Sequence, residues 1–128
     1  MDRYFTVEEA NALLPVVKPV LLELRAVAER LTLIREELAK VSPAGRLNGQ
    51  ANRIVQLETE AIEVAQEAEA LLRRLYGMGV EVKDPATGLI DFRSRRGGQE
   101  VYLCWRLGEG TIAWWHHLED GVRGRRPL

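Results

Sequence analysis

Leu13, Val17, Val20, Leu24, Val27, Leu31, Ile34, Leu38 and Val41 follow one another at steps alternating between four and three residues. Apolar residues at that spacing fall on one stripe of an α-helix, and a stripe kept up over about four heptads needs a second helix along its length. "SPAGRLNG" (Ser42–Gly49) breaks the pattern with a proline and two glycines, residues that punctuate helices. A second stripe, Ile54, Leu57, Ala61, Val64, Ala68, Leu71 and Leu75, resumes the alternation over residues 50–76. Segment 7–76 therefore reads as a long antiparallel helical hairpin, whose main arm of about 27 residues spans roughly 40 Å at 1.5 Å per residue. Ala61 and Ala68 let the two backbones approach closely, while Leu33, Ile62, Ala65 and Leu72 lie off the seams and widen the apolar face. Two helices alone make a thin core. The hairpin is expected to pair with a second copy, as a homodimer through the helices, or to pack on the rest of the chain.

The ends of the helices carry their own signals. "TVEE" starting at Thr6 is a capping box, in which a hydroxyl caps the first turn and Glu9 reaches back three residues later. Pro15 and Pro19 then fall within the pattern. Each removes a backbone donor and crowds the preceding turn, which predicts a short helix 7–14, a kink and a restart near Pro15 or Pro19. Gly77 in "YGMGV" is placed to close the second helix in the left-handed conformation.

From Val80 the period changes from helical to two. "VEVKD", "LIDFR", "EVYLCWRL" and "TIAWWHHL" are strand-like, separated by "DPATG", "SRRGG" and "GEG", turns rich in Gly and Pro. The fold class is α+β: the helical hairpin, then a small antiparallel β-meander of three or four strands over 79–118, then a basic C-terminal tail over 119–128, all in one domain. A net charge of -1 argues against a general polyanion binder, so nucleic acid is not favoured as a partner. One cysteine rules out an internal disulfide framework and fits a reducing cytoplasm. The polar start "MDRYFTVEEAN" is unlike a secretory signal, and no apolar run approaches the ~20 residues of a membrane span.

The rare chemistry is concentrated in "VYLCWRLGEGTIAWWHHLEDGVRGRRPL" (Val101–Leu128), which holds every tryptophan, both histidines and the cysteine. On the third strand Val101, Leu103, Trp105 and Leu107 share the core face, and Glu100, Tyr102, Cys104 and Arg106 the other. Register settles the fourth strand. A three-residue loop Gly108–Gly110 sets Cys104 opposite Trp114 and Tyr102 opposite His116, which puts His116 on the polar face and lets Trp115 meet Leu103. A slip of one residue gives that place to His117.

His116, with Glu119 three residues on if the chain turns helical there, Cys104 and Asp91 make a candidate metal set. Imidazole, thiolate and carboxylate together suit Zn or Fe. The plainer reading is a pair of hydrogen-bonded strand histidines and a small buried thiol. No CxxC, HExxH, nucleophile elbow or phosphate loop is present, so an enzyme is disfavoured, although a Cys104–His116 pair is a conceivable nucleophile. Arg93, Arg95 and Arg96 form one basic cluster and Arg123, Arg125 and Arg126 another. With Tyr102, Trp114 and Trp115 they offer a phosphate- or RNA-holding surface, against which stands simple solvation of loop arginines.

"FTVEEANALLP", "GVEVKD", "GLIDF", "VYLCWRLGE", "AWWH" and "GRRPL" occur in this order, and together they resemble a bacterial family filed as domain of unknown function 2203. The likeness covers essentially the whole chain and implies a small cytosolic bacterial protein. It brings no activity, cofactor or site residues with it. Its most specific words sit at the two chain ends, which the hairpin returns to one another. That suggests a composite ligand site of Glu9 and Asn11 with His116, Glu119 and Arg125, walled by Tyr102 and Trp114, where helix ends meet sheet. The reading taken forward is a metal- or small-ligand-binding protein. The alternative is a protein- or RNA-interaction module using the heptad seam and the arginine loops, and a metal-assisted enzyme comes last.

Overall fold

A computed structural model describes residues 3–41 and 49–128. The expected break at Ser42–Gly49 falls almost wholly outside these residues. Helix α1 runs Val7–Lys40 and α2 runs Ala51–Gly77. Arg53 meets Glu37 at 2.6 Å and Arg30 meets Glu67 at 3.8 Å, which fixes α1 and α2 as antiparallel. Val17, Val20, Leu24, Val27 and Ile34 share one core cluster with Leu57, Val64, Leu71 and Leu75 along the expected seams, and Ile54 is buried as well. Ala10, Leu14 and Leu21 are buried as well, because the first part of α1 extends past the end of α2 and covers the sheet. Leu33, Ile62 and Leu72 stay exposed within this single chain, so they widen the apolar surface of the hairpin without joining its core.

The capping box forms: Glu9 N–H donates to Thr6 Oγ1 at 3.1 Å and Thr6 N–H to Glu9 Oε1 at 3.0 Å. The kink does not. Pro15 and Pro19 lie inside one unbroken helix, both on its exposed side. Each proline costs one helical hydrogen bond, and the buried face on the other side holds the helix together. At the end of α2 the left-handed residue is Gly79 (φ 89°), not Gly77. A Cβ on Gly79 would stand 2.9 Å from the Phe5 ring, so the glycine both turns the chain and lets Phe5 seal the end of the hairpin.

Five antiparallel strands follow in sheet order β1-β2-β3-β4-β5. They are β1 Val80–Asp84, β2 Leu89–Arg96, β3 Gln99–Arg106, β4 Trp114–His117 and β5 Arg126–Pro127. The expected basic tail is thus part of the sheet, where Arg126 pairs with Trp115 and Pro127 with Trp114. Strand β4 starts three residues later than its pattern suggests, since the Ile112 N–H is taken by Asn11 Oδ1 at 2.8 Å. One face of the sheet, with Val80, Ile90, Phe92, Leu103, Trp105 and Trp115, joins the helices in the core. The opposite face carries Glu81, Asp91, Tyr102, Cys104 and His116. No helix among the described residues is long and apolar enough to cross a membrane.

Gly88 closes the β1–β2 turn at φ 69°, and a Cβ there would lie 2.4 Å from Leu107 Cδ1. Gly88→Ala combines left-handed strain with a clash and is expected to lower stability by about 1–3 kcal/mol, read from chemical denaturation. Unchanged stability would mean that the turn and Leu107 move apart freely.

Candidate metal centre

The sheet registers bring the rare residues together. Tyr102 pairs with His116 and Cys104 with Trp114 across β3–β4, as the three-residue-loop arithmetic expects. Across β2–β3 Asp91 stands opposite Cys104. Strands β2, β3 and β4 therefore deliver a carboxylate, a thiol and an imidazole side by side on the face away from the helices. All three are buried: Asp91 is 1%, Cys104 1% and His116 2% exposed. One ligand atom from each lies within 4.8 Å of the other two.

Burying these groups without a core around them demands partners. His116 Nδ1 lies 2.8 Å from the His117 carbonyl oxygen. A carbonyl only accepts, so Nδ1 carries the hydrogen. Nε2 is thereby turned into the cluster, 3.1 Å from both Asp91 oxygens. Arg125 Nε–H donates to Cys104 Sγ at 3.3 Å. The remaining Arg125 nitrogens grip both oxygens of Glu109 at 2.7 Å each, a bidentate pair that straps the segment after β4 over the site. Desolvation holds the Asp91 carboxyl above its usual range, opposed by His116. Burial pushes the Cys104 thiol up to about 11, against the pull of the Arg125 hydrogen bond. Alongside, Glu81 accepts from the Tyr102 hydroxyl at 2.9 Å, from Arg93 Nε at 3.0 Å and from Lys83 at 3.1 Å.

A cavity of about 300 Å³ opens over the trio, lined among others by Lys83, Tyr102, Leu118, Glu119 and Asp120. Zinc with one sulfur ligand at about 2.3 Å and nitrogen and oxygen ligands at about 2.0–2.2 Å sets its ligand atoms roughly 3.3–3.7 Å apart in a tetrahedral site. The present spacing needs only small side-chain movements to reach that, and the cavity side is left for a fourth ligand.

The candidate residues sort plainly. Of the candidate metal set, Cys104, His116 and Asp91 come together, and Glu119 does not join them. The chain after β4 makes a turn at Leu118–Glu119, not a helix, so Glu119 stands exposed at the cavity mouth. Tyr102 lines the cavity, and Arg125 touches Cys104. Trp114 sits under the Arg125 guanidinium at 5.6 Å and is not among the cavity's lining residues. Glu9 and Asn11 are not brought to the site: Glu9 is used by its capping box and Asn11 by the Ile112 N–H, both on the helix side of the sheet. The trio therefore lies on the outer face of the sheet and not where helix ends meet it. Arg93 is tied to Glu81 and Glu100, whereas Arg96 and Arg126 stack on Trp115 at 4.8 and 5.6 Å.

The polar network of Glu81, Lys83 and Glu109 was missed from sequence, although the alternation in "VEVKD" places Glu81 and Lys83 on one face. Asp91, already in the candidate set, had a register signal as well. Gly97 and Gly98 both have positive φ, 58° and 80°, the backbone of a two-residue hairpin loop. Such a loop at "GG" sets Asp91 opposite Cys104.

These features span the same words that carry the family likeness. The family model described as an uncharacterized conserved protein, domain of unknown function 2203, matches residues 3–128. The chain belongs to this family. No curated protein and no solved structure matches it.

Proposed function

We propose that the protein binds a divalent transition metal, zinc or iron(II), through Asp91, Cys104 and His116. The observation that carries this reading is the convergence of three different ligand types, from three strands, on one buried point beneath a cavity. The His116 geometry supports it. Metal-bound histidines usually tie their second ring nitrogen to a carbonyl or carboxylate, which fixes the ring and frees the other nitrogen to coordinate. Here Nδ1 is tied to a backbone carbonyl and Nε2 faces the other two candidates. Arg125, anchored by Glu109, favours the thiolate form of Cys104 that a metal requires.

In this reading the fourth position opens to the cavity, where water or a small ligand completes the coordination. Glu119 and Tyr102 stand around that position and Lys83 supplies a positive charge. Trp114 supports Arg125 from below. Glu9 and Asn11 take no part. The test is metal content by plasma mass spectrometry of untagged protein purified without chelator, set beside His116→Ala and His117→Ala. About one equivalent, lost in the first variant and kept in the second, supports the site; no metal in any sample removes it.

A further inference from the structure

We propose that the outer edge of β1 and the adjoining face of α2 form a two-fold interface with a second copy of this chain, giving one continuous ten-stranded sheet under paired hairpins. The sheet has two edges, and they are treated differently. The far edge is β5, only two residues long and ending in Pro127, a blunt edge that accepts no further strand. Where β2 runs on past β1, Phe5 covers it: its N–H donates to the Arg93 carbonyl at 2.7 Å, and Ser94 Oγ donates to the Phe5 carbonyl at 2.6 Å. The five residues of β1 have no such cover. Among the described residues, β2 is the one strand paired with β1.

Beside this edge α2 presents Leu72 and Tyr76, 37% and 63% exposed, alongside Glu69 and Arg73. Val55 and Ile62, 58% and 60% exposed, continue this stripe farther along α2, beyond Glu69. A groove of about 370 Å³ joins the stripe to the strand, with Leu72 and Tyr76 on one wall and Val80 and Val82 on the other. Strand edge and helix face are thus one surface. A stable interface takes about 800 Å² from each partner, more than a five-residue edge supplies alone, so the α2 stripe has to take part.

Charge selects a second copy as the occupant. Lys83, exposed on this edge, discourages addition of an arbitrary strand. An antiparallel copy centred on Val82 sets Glu81 opposite Lys83 of the second copy, and Lys83 opposite its Glu81. An isologous contact needs that self-complementarity, and cross-strand pairs of opposite charge favour it. Glu69 and Arg73, an acid and a base one helical turn apart that line the same groove, repeat the pattern on α2.

The experiment is sedimentation equilibrium of the untagged full chain, with Tyr76→Arg and Lys83→Glu measured beside it. Both substitutions fall on exposed positions and leave the core alone, and circular dichroism verifies the fold. The wild type is expected at twice the chain mass of 14.5 kDa. Each variant is expected to weaken association at least tenfold, and together they give a monomer. A monomeric wild type at 100 μM overturns the proposal and leaves the surface to a different partner. A dimer that neither variant weakens also overturns it, by placing the contact elsewhere.

Discussion

Chelator-free protein is expected to unfold on the order of 10 °C higher than the same protein after chelation, with the metal bound at about one equivalent. A ligand that binds only the folded chain stabilises it by about 4 kcal/mol when free metal stands a thousandfold above its dissociation constant. In a chain of this size each kcal/mol moves the melting temperature by about 3–5 °C. Asp91, Cys104 and His116 come from three different strands, so the unfolded chain has no comparable site and most of the binding energy appears as stability. His116→Ala alone does not decide the matter. It leaves the Asp91 carboxyl buried without its partner, and breaking a buried pair costs about 3–5 kcal/mol whether or not a metal is involved. The deciding comparison is the response to chelator: wild type shifts downward and His116→Ala, already lower, shifts no further. If the wild type melts at one temperature with and without chelator, the trio is a hydrogen-bonded set and nothing more.

Trp105→Ala is expected to lower stability by about 3–5 kcal/mol, seen as a fall in the urea midpoint with an unchanged slope. Trp105 is fully buried, and it is the largest such side chain in the core. Its Nε1–H donates to the Gly110 carbonyl at 2.8 Å, and Lys18 from α1 stands 5.6 Å from its ring. One side chain therefore joins helix, sheet and the loop that sets the register of β4. Trp105→Phe keeps much of the apolar volume but loses the bond to Gly110, so a loss of about half that size is expected. If alanine and phenylalanine were equally damaging, the hydrogen bond and not the packing would dominate.

The helices were legible because a heptad stripe reports its own burial, and the capping box at Thr6 marks a start without tertiary help. The side of the sheet on which His116 lies was legible for a related reason: in a tight antiparallel connection, loop length fixes which residues meet. What escaped has physical causes. A proline inside a helix reads as a break locally, yet Pro15 and Pro19 both fall on the solvent side of a helix whose opposite face is held in the core. Ile62 and Leu72 look like core because nothing local distinguishes burial in one chain from burial between two. The site drew Glu119 from a helical turn that the chain does not make, and Asp91 rose to first rank only through the β2–β3 register. Glu9 and Asn11 were brought near the sheet correctly but onto its other face, a distinction that needs the handedness of the whole arrangement.

The 34-residue α1 is about 51 Å long at 1.5 Å per residue, and the sheet accompanies only part of it. Ala86, in the turn after β1, still shares a cleft with Arg25, Ala28, Glu29 and Thr32. Farther out, Ile34, Leu57 and their neighbours touch mainly the other helix. The outer hairpin is then modular in length: removing seven residues from each arm, matched in height, takes out one repeat and leaves every remaining side chain on its former face. A change in arm length would leave the Asp91–Cys104–His116 geometry in place, because that geometry is fixed by strands the outer arm does not reach.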